Sequence, residues 1–342
     1  MAATLLAVVA ASTASVQTLD VSGDYARDNY ALDRIDQTHG SALDGRYHYA
    51  ATGAGVTIYV LTPGEGVNIS HRDFTARIRY VGDTCGGSLR SGSEPYAREG
   101  DDYDGHDTHA ASYAAGTRVG VAKGAAIRVI RVNWPAGGSK DGGAACTGNH
   151  SPALAAAFEW IAAHGERPGV VLYPGGGSDP SAWPPIERAM ARGFSVVLSG
   201  GSANTMISEK WGTAVPLKAL VVGGVRRDDR AFAATPYETV HPSLLALYAP
   251  VERMLGASAT NNAAYSVPES RPRGGTGDSF AAPLVAGAAA LYLEQHPDAS
   301  PCEVRQAIIE SSERNVVTQA SGEVSANRVL HLPIAAIAPR AC

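Results

Sequence analysis

Two side chains able to do chemistry stand where helical stretches begin. Ser279 lies in Gly277-Asp278-Ser279-Phe280-Ala281-Ala282-Pro283, which opens the longest apolar helical run of the sequence. There, backbone N–H groups and the helix dipole favour a developing negative charge. A serine with no chemical role at the same place would be an N-cap. His106 opens an Ala-rich helical run in Asp104-Gly105-His106-Asp107-Thr108-His109. Its plain alternative is a solvated or capping histidine. His109 follows one turn later, and such a pair could hold a metal ion. No third ligand follows at metal spacing, so no metal site is expected. A third segment, Thr62-Pro63-Gly64-Glu65-Gly66, sits at the end of the first strand.

The elements that must position these groups alternate along the chain. Val56–Leu61, Ile127–Val132, Val170–Tyr173, Ser195–Leu198 and Ala219–Val222 are short β-branched runs that read as strands. Pro152–His164 and Pro185–Arg192 read as helices, and another runs from Ser279 through Gln295 until Pro297 limits it. Ser300-Pro301 followed by Glu303 opens a last helix with proline in its first turn. This alternation predicts an α/β fold: a doubly wound, mostly parallel sheet between helices. Working groups in such a sheet gather at the carboxyl ends of the strands, which is where all three segments fall.

Composition narrows the class. The chain has 342 residues, 28 basic against 33 acidic, for a net charge of −5, with 45% hydrophobic and 18% charged residues. That describes an ordered globular protein, and the mild acidic excess argues against nucleic acid as a partner. No apolar run approaches the ~20 residues that span a bilayer, so no membrane partner is expected. With no repeat or linker, one domain is the economical reading. Thr4–Ala11 followed by Ser12-Thr13-Ala14-Ser15 reads as the second half of a secretory signal without a basic residue in front. A truncated signal or a frayed terminus are the alternatives. The four cysteines, Cys85, Cys146, Cys302 and Cys342, form no CxxC pair. Disulfides in an exported protein are therefore preferred to a redox motif, with unpaired thiols as the alternative. Cys302 and Cys342 stand at the start of the last helix and at the C-terminus, where a crosslink restrains a tail that otherwise frays.

The segment Gly277–Gly287 (GDSFAAPLVAG) closely resembles the nucleophile motif GTSMATPHVAG of subtilisin-like serine peptidases. Gly105–Ala111 (GHDTHAA) resembles their histidine motif GHGTHVA. Ala31–Gln37, Gly120–Lys123 and Ala288–Pro297 look like the proteinase K branch, especially its aqualysin-like members, and the resemblance covers roughly residues 28 to 333 in matching order. It implies the subtilase fold, with residues 1–27 as a tail or signal-like segment, 28–333 as a single domain and 334–342 as a C-terminal tail. It also implies a Cys85–Cys146 disulfide, a secreted monomer acting on a peptide or protein, and no required cofactor. The branch leaves a structural calcium ion open, with no ligands assigned. The family carries an inhibitory folding prodomain of substantial length, whereas about thirty residues precede the matching segment here.

In that family a serine attacks the peptide carbonyl, a histidine takes its proton, a strand-end aspartate orients the histidine and an asparagine donates to the oxyanion. Ser279 matches the nucleophile and His106 the base. The other two roles do not match. Where the family has V-I-D-T/S-G, this chain has Val60-Leu61-Thr62-Pro63-Gly64 and about two extra residues, so Thr62 or Gly64 stands at the acid's position. Where it has A-A-G-N, this chain has Ser199-Gly200-Gly201-Ser202, with Asn204 two residues on as a further donor candidate. Asp107 replaces the glycine after the base, and Asp278 the threonine before the nucleophile. The substrate-pairing S-L-G-G reads Tyr173-Pro174-Gly175-Gly176, where proline restricts the backbone.

In archetypal serine peptidases, losing the acid costs on the order of 10⁴ in turnover and losing the oxyanion donor about 10²–10³. Rescue needs another acid. Glu65, in the lengthened strand-end loop, is the first candidate and Asp104 the second; the plain alternative is that these and Asp107 are solvated loop carboxylates. Asp107 is not expected to face the His106 ring, because adjacent residues of a helix point apart. The reading that follows is a subtilase-like hydrolase doing slow or specialised peptide hydrolysis or acyl transfer. An inactive pseudoprotease that binds a peptide or protein is the alternative, and a merely structural secreted domain the third.

Overall fold

The computed structural model describes residues 15–21, 30–41, 43–63, 66–84, 87–91, 105–132, 150–175, 180–200, 219–232, 245–267, 277–318, 327–333 and 337–342. In chain order the elements are β1 (Gln17–Asp20), α1 (Tyr30–Ile35), β2 (Arg46–Tyr49), β3 (Thr57–Thr62), β4 (Ile78–Asp83), α2 (His106–Ala115), β5 (Ala126–Arg131), α3 (His150–His164) and β6 (Gly169–Tyr173). They continue with α4 (Trp183–Ala191), β7 (Ser195–Ser199), β8 (Leu220–Val225), β9 (Leu247–Pro250), β10 (Gly256–Ala257), β11 (Tyr265–Ser266), α5 (Asp278–Gln295), α6 (Pro301–Ser311), β12 (Glu313–Arg314) and β13 (Arg328–Val329).

Nine strands form one sheet in the order β12-β13-β9-β8-β7-β6-β3-β5-β4. Every neighbouring pair is parallel except β12–β13. The central strands β3, β6, β7 and β8 are buried along their whole length. That explains their near-continuous Val/Ile/Leu composition, since a parallel sheet is covered on both faces. Alternation along the strands divides the core in two. Ile58, Val60, Val170, Leu172 and Val197 pack with α2, α5 and α6. Tyr59, Leu61, Val171, Val196 and Leu198 pack with α3 and α4. This is the doubly wound α/β arrangement that strand–helix alternation predicts.

Each strand and helix expected from the sequence is present, with ends moved by at most three residues. The last helix shows why its sequence was legible. Ser300 accepts from the Glu303 N–H, Glu303 accepts from the Ser300 N–H at 2.7 Å, and Pro301 takes the first turn. Helix α5 is apolar all round because it is buried almost throughout. Its contact with α2 is unusually close: a Cβ on Gly287 would lie 2.7 Å from the Ala114 carbonyl and 2.5 Å from Val121 Cβ. Small residues at this crossing let the two helices approach, and so bring their first turns together at the carboxyl side of the sheet.

Two further ties hold the frame. Arg34, on α1, donates to both carboxylate oxygens of Asp229 at 3.0 and 3.3 Å and to Glu313 at 3.3 Å, which fastens the N-terminal helix to the far end of the sheet. Cys302 and Cys342 form a disulfide with Cα atoms 5.6 Å apart. Cys85 and Cys146 lie outside the described residues.

Candidate active site

His106 is the first residue of α2, preceded by Gly105 in the left-handed region at φ 73°. A Cβ at Gly105 would press on the His109 ring at 3.0 Å, a second reason for glycine there. The two histidines have different lives. His109 is buried; its Nδ1 faces the Gly105 carbonyl, and its Nε2 lies 3.3 Å from the Ser266 hydroxyl and 3.0 Å from the Ser266 carbonyl. Each ring nitrogen thus faces a backbone carbonyl, and this histidine braces α2 against β11. His106 keeps 26% of its side chain exposed. Its ring lies against Phe280, with centroids 5.3 Å apart. Phe280 follows Ser279 directly in the first turn of α5, so the imidazole sits beside the start of the serine helix. Ser279 itself is half-buried.

The nitrogen of His106 nearer its own backbone has a carboxylate partner. Nδ1 lies 2.8 Å from Asp107 Oδ1, and the Asp107 side chain is fully buried. This corrects the expectation that adjacent residues at a helix start do not meet. The rule belongs to helix interiors, where each side chain is fixed by the turn before it. In the first turn there is none, and a short aspartate folds back onto the neighbouring ring. Helix starts also favour negative charge, which helps a buried carboxylate remain ionised.

Among the described residues the strand end supplies no acid. Thr62 closes β3, fully buried, and its hydroxyl finds no hydrogen-bond partner among the described residues. By alternation with Ile58 and Val60 it lies on the sheet face covered by α2 and α5. Glu65 and Asp104, the sequence candidates for a replacement, lie outside the described residues, as do Gly64, Gly176, Ser202 and Asn204.

Asp278 is buried in the first turn of α5, where its Oδ1 accepts from the Gly224 N–H at 2.7 Å. A Cβ on Gly200 or Gly224 would come within 2.9 Å of this carboxylate, so glycines at the ends of β7 and β8 make room for it. Tyr173, closing β6, folds its ring over Gly175: a Cβ there would lie 2.5 Å from Tyr173 Cζ. Burial, and then the charge of Asp107, hold the Tyr173 phenol well above its ordinary range. The N-terminus of α2 and the carboxyl end of β6 are therefore electrostatic neighbours. The Asp107 and Asp278 contacts escaped the sequence reading; the signal for the second is the pair of glycines at 200 and 224.

A family model described as the subtilase family (Peptidase_S8) matches residues 53–328. The chain belongs to that family. This subtilase is 33% identical over 308 residues to the extracellular serine proteinase of Thermus sp. (strain Rt41A), covering 89% of this chain and 66% of that protein. It is 29% identical over 317 residues to alkaline serine exoprotease A of Vibrio alginolyticus, covering 91% and 52%. It thus spans between half and two thirds of the length of these curated relatives. A cold adapted subtilisin-like serine proteinase matches it in structure with a TM-score of 0.70 at 26% identity, covering 88% of this chain and 97% of that one. Fervidolysin from Fervidobacterium pennivorans matches at a TM-score of 0.60 and 20% identity, a likeness of fold.

Proposed function

We propose that this subtilase is a secreted serine hydrolase that cleaves, or transfers the acyl group of, peptide substrates slowly through Ser279 and His106. The observation that carries the reading is the His106 ring, held at Nδ1 by a carboxylate and packed on Phe280 beside Ser279. With the Nδ1 proton directed at Asp107, Nε2 is the basic nitrogen of the ring in this reading. Ser279 Oγ bonds to the substrate carbonyl carbon, its proton passes to His106 Nε2, and the carbonyl electron pair moves onto oxygen. Collapse re-forms the carbonyl and breaks the bond to the leaving amine, which takes the proton from His106. Water then repeats the two steps on the acyl-enzyme and frees Ser279. The rate is low in this reading because Ser202 does not reproduce the family's oxyanion donor.

No cofactor enters these steps, and the protein acts as a monomer in this reading. The structural calcium ion that the resemblance leaves open plays no part in this reading. The test is labelling by a fluorophosphonate, with the adduct mapped by mass spectrometry. A single adduct on Ser279, lost in Ser279→Ala and strongly slowed in His106→Ala, is expected. An unlabelled folded protein would overturn the reading.

A second reading has its own observation. The buried Asp278 carboxylate stands in the first turn of the serine helix, where negative charge opposes an oxyanion collecting at the same helix end. That favours a pseudoprotease that binds a peptide without cutting it. Peptide binding without any Ser279 adduct is its signature.

A further inference from the structure

We infer that Asp107 is the positioning residue for His106, so that base and acceptor are consecutive residues of one helix turn and the strand-end acid is dispensable. The inference rests on the Ser279–His106 reading and assigns the role that the sequence gave to Glu65 or Asp104. Three observations support it. Asp107 Oδ1 is 2.8 Å from His106 Nδ1, within the range of a charge-assisted hydrogen bond. The Asp107 side chain is fully buried while His106 stays partly exposed, so the acceptor is shielded from water and the base open to substrate. At Thr62, one of the two positions that match the family's acid, a buried hydroxyl has no partner among the described residues.

The function of such a carboxylate is twofold. It fixes the neutral ring as the tautomer with its proton on Nδ1, leaving Nε2 basic toward Ser279. It also opposes the charge that appears on the ring when Nε2 takes the serine proton, while itself remaining ionised. Position along the chain does not matter to either role; an oxygen near Nδ1 does. Among the described residues, nearby titratable groups have partners of their own: His109 is braced against backbone carbonyls and Ser266, Asp278 is bonded to the Gly224 N–H, and Tyr173 feels the Asp107 charge from β6.

The test uses the full chain as wild type, Asp107→Asn, Asp107→Gly, His106→Ala and Ser279→Ala, with two independent readouts. The first follows the His106 ring protons by NMR across pH, assigned by their loss in His106→Ala. Removing the Asp107 charge should make His106 titrate at lower pH, by on the order of one pH unit. The second is fluorophosphonate labelling of Ser279. Asp107→Asn should lower the limiting labelling rate about 10²–10⁴-fold and leave the half-saturating probe concentration unchanged. Asp107→Gly, which installs the residue of the family motif, carries both readouts if the asparagine variant does not fold. An unaltered His106 titration in either variant overturns the inference, as does an unaltered labelling rate while His106→Ala abolishes labelling. If wild type takes no label, the hydrolase reading fails by itself, and the titration still decides the role of Asp107.

Discussion

Cutting the Cys302–Cys342 disulfide should cost this protein several degrees of thermal stability. The bond joins residues separated by 40 positions, from the first turn of α6 to the last residue of the sequence. Closing a loop of that length in the unfolded chain removes entropy worth on the order of 4 kcal/mol at 25 °C. The Tyr292 hydroxyl bonds the Arg340 backbone. Between 337 and 342, Ile337 is buried, and Arg340 pairs with Glu310 at 2.7 Å across a partly exposed surface. An exposed pair of this kind contributes at most about 1 kcal/mol. With an unfolding entropy of about 2 cal/mol/K per residue, a chain of this size converts 4 kcal/mol into a fall of roughly 5–6 °C. The perturbation is Cys302→Ser/Cys342→Ser, made as a pair to avoid a stranded thiol. It is compared with wild type by calorimetry at one scan rate without reductant, after peptide mapping has established the wild-type bond. Equal melting temperatures with the bond present in wild type would refute the loop-entropy argument.

Burial pushes the Asp36 carboxyl up to about 6, against an ordinary value of 3.8. The folded state therefore binds this proton more tightly than the unfolded state, and stability falls as pH rises from about 4 to 6 by on the order of 3 kcal/mol. Asp36→Asn should flatten that slope and stabilise the protein at pH 8 but not at pH 4, as read by urea unfolding; a variant less stable at pH 8 would contradict the sign. Gly287→Ala should destabilise by about 1–3 kcal/mol through overpacking at the α2–α5 crossing. It should also slow Ser279 labelling, because the two first turns are pushed apart; an unchanged unfolding midpoint would show that the crossing has slack.

The central strands and their helices were legible because each segment had a local cause for its shape. Thr57–Thr62 and Ser195–Ser199 are buried on both faces and write that into unbroken apolar runs, and Ser300-Pro301 with Glu303 announces a helix start. The edge elements were not legible. Ile78–Asp83 mixes arginine, tyrosine and glycine, and β12 and β13 are two residues each, so their strand character comes from the neighbour they pair with. The same division runs through the site. Motif order placed Ser279 and His106 at the starts of two packed helices. The His106–Asp107 bond was missed because it depends on which way a side chain turns in a first helical turn, and no periodicity records that. The Arg34 ion pair with Asp229 spans 195 positions and leaves no local trace either.

Because His106 and its acceptor are consecutive residues, adjacent codons specify both, and this constrains how such a site could arise from the family pattern. A glycine codon ending in a pyrimidine becomes an aspartate codon by one base change, so position 107 can gain its carboxylate in one mutational step. Taken while an aspartate still closed β3, that step leaves the histidine with two acceptors competing for one proton. Loss of the older one then relieves the repulsion between them. Taken in the reverse order, the path runs through a protein with no acceptor at all. Gaining Asp107 before losing the strand-end aspartate is the order that keeps an acceptor beside the histidine at every step.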